Sequence, residues 1–173
     1  MNNLFGKKSI CLGILLALIL IGTGCGKKDE ALEAYKTGMS EFYDTLENLD
    51  GSINAIDPES EGSKEELLGY IDQMNEAYQK MGQLEVPPSF SGITDISVEA
   101  AEYMQKAAEC YHLAYDGEFD ESNEELASQY YERANNRAMV ILQVLHGEVP
   151  SGEGVSVTTE DAFQLSTVDS GTE

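Results

Sequence analysis

Apolar residues recur at alternating three- and four-residue steps through four separate stretches, and each stretch ends at a recognisable stop. In the first, Leu32, Tyr35, Met39, Phe42, Leu46, Leu49, Ile53 and Ile56 keep this spacing without a break. That spacing lays every apolar side chain along one stripe of a helix, the a/d seam of a packed pair. Asp57-Pro58 ends it, because the residue before a proline is pushed out of the α region. The second stretch opens on Ser63-Lys64-Glu65-Glu66, a capping box whose serine and glutamate would satisfy two backbone donors. Leu67, Ile71, Met74, Tyr78 and Met81 line its face, and Val86-Pro87-Pro88 closes it.

The third stretch carries Ile93, Ile96, Ala100, Tyr103, Ala107, Cys110 and Ala114, flanked by a second stripe of Ala101, Met104, Ala108, Tyr111 and Tyr115. Small residues alternating with tyrosine predict close helix approach, with phenol groups reaching the rim. The fourth opens on another capping box, Ser122-Asn123-Glu124-Glu125, and runs through Ala127, Tyr131, Ala134, Ala138, Ile141 and Leu145. His146-Gly147 closes it, with glycine supplying the left-handed cap and histidine near the negative end of the helix dipole. Matched lengths and short connections predict an all-α fold, an antiparallel up-down-up-down four-helix bundle over residues 30–148. Residues 149–173 lose the periodicity, are rich in Ser, Thr, Gly and acids, and read as a disordered acidic tail.

Ahead of the helices the pattern changes. Lys7 and Lys8 precede an apolar run over residues 10–21, which Gly22, Thr23, Gly24 and Cys25 follow. A basic start, a short apolar run and small residues make an export signal. Small residues running up to a cysteine resemble the lipobox of bacterial lipoproteins, and the layout is similar to small helical lipoproteins of Gram-positive bacteria. The resemblance implies that residues 1–24 are removed and that Cys25 carries a diacylglycerol. Residues 25–29 would then tether the bundle to the extracytoplasmic face of the cell membrane. Gly22 departs from the Leu, Val or Ile usual at that position. Gly22 and Gly24 also form a small-x-small site for ordinary signal peptidase, whose cleavage would release a secreted protein. An uncleaved anchor is the third reading, but the run is short of the ~20 apolar residues a span needs. Two acyl chains suffice for stable anchoring, and Lys27 and Lys28 stand where anionic headgroups would attract them.

Charge narrows the partners. The chain has 32 acidic and 10 basic residues, a net charge of −22. Such a field excludes nucleic acid as a partner. Removing residues 1–24 deletes lysines and no acid, so the mature protein is more acidic still. With Cys25 lipidated, Cys110 has no intramolecular partner, and its place on an apolar stripe predicts a buried, inert thiol.

Candidate chemistry is sparse. Glu109 and His112 form a Glu-x-x-His, the unit that holds metal in ferritin-like bundles. The register turns both outward, however, and the only approach to a second copy has Gln143 before His146. The acidic turn Asp116-Gly117-Glu118-Phe119-Asp120-Glu121 lacks the glycine and glutamate positions of an EF-hand. Arg133 and Arg137, the two arginines of the chain, stand one helical turn apart. Arg137 falls beside the seam, where it would fork onto a carboxylate of a neighbouring helix; an anionic ligand group is the other use. Tyr43, Tyr70 and Tyr130 lie off the seams and are the tyrosines expected to contact a partner. No nucleophile elbow, zinc-protease helix or phosphate loop is present in the sequence, so no cofactor or enzymatic activity is expected. The expected function is a non-catalytic interaction module with an envelope protein partner. The alternative is a small-ligand or divalent-cation binder, using the acidic turn or a pocket walled by tyrosine.

Overall fold

The computed structural model describes residues 30–150, and within them every regular element is helical. Helix α1 spans Glu30–Ala55, α2 Ser63–Gly82, α3 Thr94–Tyr115 and α4 Glu121–Leu145, with a 3-10 turn at Pro88–Ile93 leading into α3. The expected export signal, Cys25 with its expected tether, and residues 151–173 of the expected disordered tail lie outside the described residues. No described helix is long and apolar enough to cross a membrane.

The seams read from the sequence form the core. Tyr35, Met39, Phe42, Leu46 and Leu49 of α1 are buried, as are Leu67, Ile71, Met74, Tyr78 and Met81 of α2. The opposite side of α1 is polar, and its Thr37, Thr45 and Ser52 hydroxyls donate back to carbonyls one turn earlier. In α3 both stripes are inside: Ala100, Ala107, Cys110 and Ala114 from one, Ala101, Met104, Ala108 and Tyr115 from the other. Ala127, Ala134, Ala138 and Ile141 of α4 complete the core. These alanines let the two backbones close on each other, and α3 against α4 is the most extensive helix contact in the molecule. Gly82 serves the same end between α2 and α3. A Cβ there would sit 3.1 Å from Ala101 Cβ and 3.3 Å from the Ser97 carbonyl oxygen.

Aromatic side chains fix how the helices meet. Phe42 packs edge-on against Tyr43 and Tyr78, at 5.1 and 4.9 Å between ring centres. The Tyr78 hydroxyl donates to Asn135 Oδ1 at 2.6 Å, and the Tyr43 hydroxyl donates to the Ala138 carbonyl at 2.6 Å. Both phenols tie a distant helix to α4. Tyr43 was expected on the outside, and this is corrected: it is 3% exposed. An a/d seam describes contact with one neighbour, whereas α1 leans on α2 and also touches α4, which widens its apolar stripe.

Both capping boxes are corrected as well. Gly62, with φ of +93°, precedes α2 in the left-handed conformation that glycine tolerates, and no side chain caps the helix there. Ser63 is already inside the helix and buried, and its hydroxyl donates to the Pro58 carbonyl at 3.4 Å. At α4 the cap is Asp120, whose Oδ1 accepts from the backbone N–H of Ser122 and of Asn123 at 2.9 and 3.2 Å. The helix therefore starts ahead of Ser122. Its other end is as expected. Gly147 has φ of +73°, its N–H donates to the Val144 carbonyl, and the Glu148 N–H donates to the Gln143 carbonyl. Those paired bonds make a Schellman motif. Ile93 lies in the 3-10 turn rather than in α3, though buried as its place on the seam requires.

Candidate functional site

Two helices carry the same short pattern on their outer flank. In α3, Glu99, Tyr103 and Lys106 follow at steps of four and three; in α4, Tyr130, Arg133 and Arg137 follow at three and four. Residues at these steps share one side of a helix. The two sides lie next to each other, so the six residues meet. Tyr103 and Tyr130 stack at 6.3 Å between ring centres and 23° between planes. Lys106 Nζ stands 5.6 Å from the Tyr103 ring centre and 5.9 Å from that of Tyr130. The Arg133 guanidinium is 5.8 Å from both. Arg137 lies 5.9 Å from the Tyr103 ring, and its Nε donates to Glu99 Oε2 at 2.8 Å.

Each cation over a ring face stabilises by about 0.5–1 kcal/mol at an exposed site. The ring faces therefore hold the cationic groups in place. Their charges differ in use. Arg137, with its side chain 15% exposed, is neutralised by Glu99 as the sequence suggested. Lys106 and Arg133 are exposed, and among the described residues neither has a carboxylate oxygen within 4.0 Å. The result is a small positive island over half-buried tyrosines on a chain of net charge −22.

Of the residues singled out in the sequence, the structure brings Arg133, Arg137 and Tyr130 together. It separates Tyr43, which is in the core, and Tyr70, which is half-buried on α2 with its hydroxyl 3.3 Å from Glu66 Oε1. Tyr103, Lys106 and Glu99 complete the cluster and were not singled out. The tyrosine-x-x-cation spacing, present at Tyr103 and Lys106 and again at Tyr130 and Arg133, is the sequence signal that could have found them.

A second place is the open groove of about 1030 Å³ between α2 and α3, lined by Asp72, Asn75, Gln105, Glu109, His112 and Leu113 among others. His112 crosses it. Its Nε2 is 3.0 Å from Asp72 Oδ1 on α2 and its Nδ1 is 2.9 Å from Asp116 Oδ2. Only the imidazolium can donate to both carboxylates together. The hydrogen bond to Asp72 chiefly, with Asp116 adding and burial opposing, raises the His112 pKa above its ordinary 6.5. A raised histidine pKa gives stability that is complete below about pH 6.5 and lost as pH rises through the folded-state value. The melting temperature of the native protein should therefore exceed that of His112→Gln by more at about pH 5.5 than at about pH 8.5. A gap that does not change with pH would show that folding leaves the proton affinity of His112 unchanged.

The groove's other polar groups are already engaged. Gln105 donates to Glu109, and Gln79 donates to the Ala101 carbonyl. In the acidic turn Asp116 holds His112 and Asp120 caps α4. Among the described residues no three His, Cys, Asp or Glu side chains converge as a metal site would require. Cys110 is buried, and burial, then Glu109, push its thiol pKa up, away from the reactive thiolate. No family model, curated protein or solved structure matches this chain.

Proposed function

We propose that the protein is a lipid-anchored, non-catalytic interaction module on the extracytoplasmic face of the cell membrane. The export signal and the lipobox-like run into Cys25 support the location. The α3–α4 flank bearing Tyr103, Lys106, Tyr130 and Arg133 is the surface it offers to another envelope protein. The observation that carries this is the exposed positive island over stacked tyrosines. Tyrosine and arginine together are the side chains that anchor protein interfaces.

The cross-helix pairs support an up-down-up-down course for the bundle. Gln79 pairs with Ala101 and Asp72 with His112 between α2 and α3, and Glu99 pairs with Arg137 and Tyr115 with Glu124 between α3 and α4, so residue numbers rise along one helix as they fall along the next. Tyr43 stands opposite Ala138, next to Arg137, and lies 13 residues into α1. At 1.5 Å per residue that height is roughly 20 Å above the start of α1. The short tether adds to it. An upright bundle so anchored holds the cluster beyond the lipid headgroups, level with the domains of neighbouring envelope proteins. The alternative, a small-ligand or divalent-cation binder, has less support, because Asp116 and Asp120 of the acidic turn are engaged by His112 and by the α4 backbone, and among the described residues no three metal-ligating side chains converge.

The test has two parts. Cys25→Ala should move the protein out of the membrane fraction and abolish acyl labelling; labelling that persists would refute the anchor. A photo-crosslinking amino acid placed at Tyr130 should yield a discrete adduct with one envelope protein, and the same group at Glu47, on the exposed side of α1, should not. Equal adducts from both positions would refute the assignment of the face.

A further inference from the structure

We infer that Lys106 and Arg133, over the Tyr103–Tyr130 pair, receive a carboxylate that a partner polypeptide presents beside an apolar or aromatic side chain. This rests on the α3–α4 flank being the partner face, and it names the chemistry recognised there. The first support is charge that has not been used internally. Acidic residues outnumber basic ones 32 to 10, yet Lys106 and Arg133, like Lys36, Lys64 and Lys80, have no carboxylate oxygen within 4.0 Å among the described residues, and of these five only Lys106 and Arg133 stand over aromatic rings. Both stay close to the same two rings, within 5.9 Å of each centre.

The second support is an example inside the cluster. Arg137, one turn along from Arg133, shows how a guanidinium beside the Tyr103 ring takes a carboxylate, with Nε 2.8 Å from Glu99 Oε2. A ring face holds the guanidinium without using its N–H groups, which leaves the fork free for a planar two-oxygen acceptor.

Valence decides between carboxylate and phosphate. A chain of net charge −22 repels an approaching anion in proportion to that anion's charge. The two cations prevail only within about one screening length, roughly 8 Å at physiological salt. A dianion doubles the repulsion and the attraction alike, but its desolvation cost rises with the square of its charge, so a single carboxylate on an otherwise uncharged segment fits best. The half-buried tyrosine rings supply the complement for an apolar neighbour.

The experiment uses the full-length lipoprotein in detergent micelles, followed by nuclear magnetic resonance of the tyrosine ring and arginine Nε–H signals. The probes are the blocked peptide acetyl-Gly-Phe-Glu-Gly-amide, its glutamine counterpart and inorganic phosphate. The glutamate peptide should give saturable shifts, and the glutamine peptide should bind about tenfold more weakly. Binding should weaken as salt is raised, and Lys106→Gln with Arg133→Gln should remove it while Lys80→Gln does not. Equal binding of the two peptides, tighter binding of phosphate, or shifts from neither peptide would overturn the inference. The crosslink at Tyr130 separates the two levels. If it maps to one partner while the glutamate peptide shows no preference, the face stands and the carboxylate chemistry falls. If the crosslink also fails, the face itself is wrong.

Discussion

Leu46→Asp should abolish the cooperative thermal transition, or lower its midpoint so far that the chain is largely unfolded at 37 °C. Leu46 is 4% exposed and sits in the middle of the α1 seam, between Phe42 and Leu49. Truncating a buried leucine costs about 2–5 kcal/mol in lost transfer energy and cavity. An aspartate adds the penalty of a buried polar group without a partner, several kcal/mol more. Domains of this size are stable by about 5–15 kcal/mol, so the combined loss reaches most of the reserve. The measurement is a far-ultraviolet circular dichroism melt of the variant beside the native protein, with Glu47→Asp as the exposed neighbour expected to melt normally. A native-like melt for Leu46→Asp would mean that α1 does not contribute to the core.

Ala107→Phe should be the next most damaging change, although it adds only hydrocarbon. Ala107 is 0% exposed, as are Ala100, Ala114, Ala127 and Ala134. A methyl group is what the spacing of α3 from its neighbours accommodates. A ring in that place must push a helix away and break the register of every contact along it. Inserting extra carbons into a packed core costs about 1–3 kcal/mol, and a full ring at a close helix contact lies at or above the top of that range. The expected result is a midpoint lower by about 10 °C or more, taking roughly 3–5 °C per kcal/mol for a domain of this length. Leu113→Ala on the same helix, 65% exposed in the native protein, should change the midpoint by little. If Ala107→Phe melts like the native protein, α3 has room beside it and the alanine stripe does not set its spacing.

How much of this was legible in the sequence depends on the distance over which each feature is determined. The α1 seam from Tyr35 to Leu49 is a repeating local pattern, and the core follows it. The Gly147 cap is equally local, because few residues tolerate its backbone angles. The helix starts were misplaced although their serine and glutamate spacing was right. Which residue caps a helix depends on how the incoming loop turns, and Asp57 already organises the loop before α2 by accepting from the Glu59 N–H. At α4, Asp120 stood ahead of the serine with a carboxylate to offer. Tyr43 was misjudged because a single seam cannot show that α1 touches a third helix. The Tyr103–Tyr130 cluster is the clearest case of information held between segments. Each half is an ordinary stretch of amphipathic helix, and its meaning arises only when the register of α3 against α4 aligns the two. Arg137 was readable in advance because a buried guanidinium flank in so acidic a chain has many carboxylates within reach; that it would choose Glu99 was not.

The helices do not share their attachments evenly. α3 and α4 are held along their lengths, α2 leans on α3 through Gly82 and Gln79, and α1 meets α2 and reaches α4 chiefly through the Tyr43 hydroxyl. Among the described residues the α1–α2 pairing is less extensive than α2–α3 or α3–α4, and α1 is the helix that a membrane tether would join. A pull entering at Glu30 would load α1 first, as a zip fastener is loaded at its end tooth, and would reach the more extensive α3–α4 contact after it. The protein would then yield to force in stages, giving up length at its anchored side before the tyrosine face loses its shape.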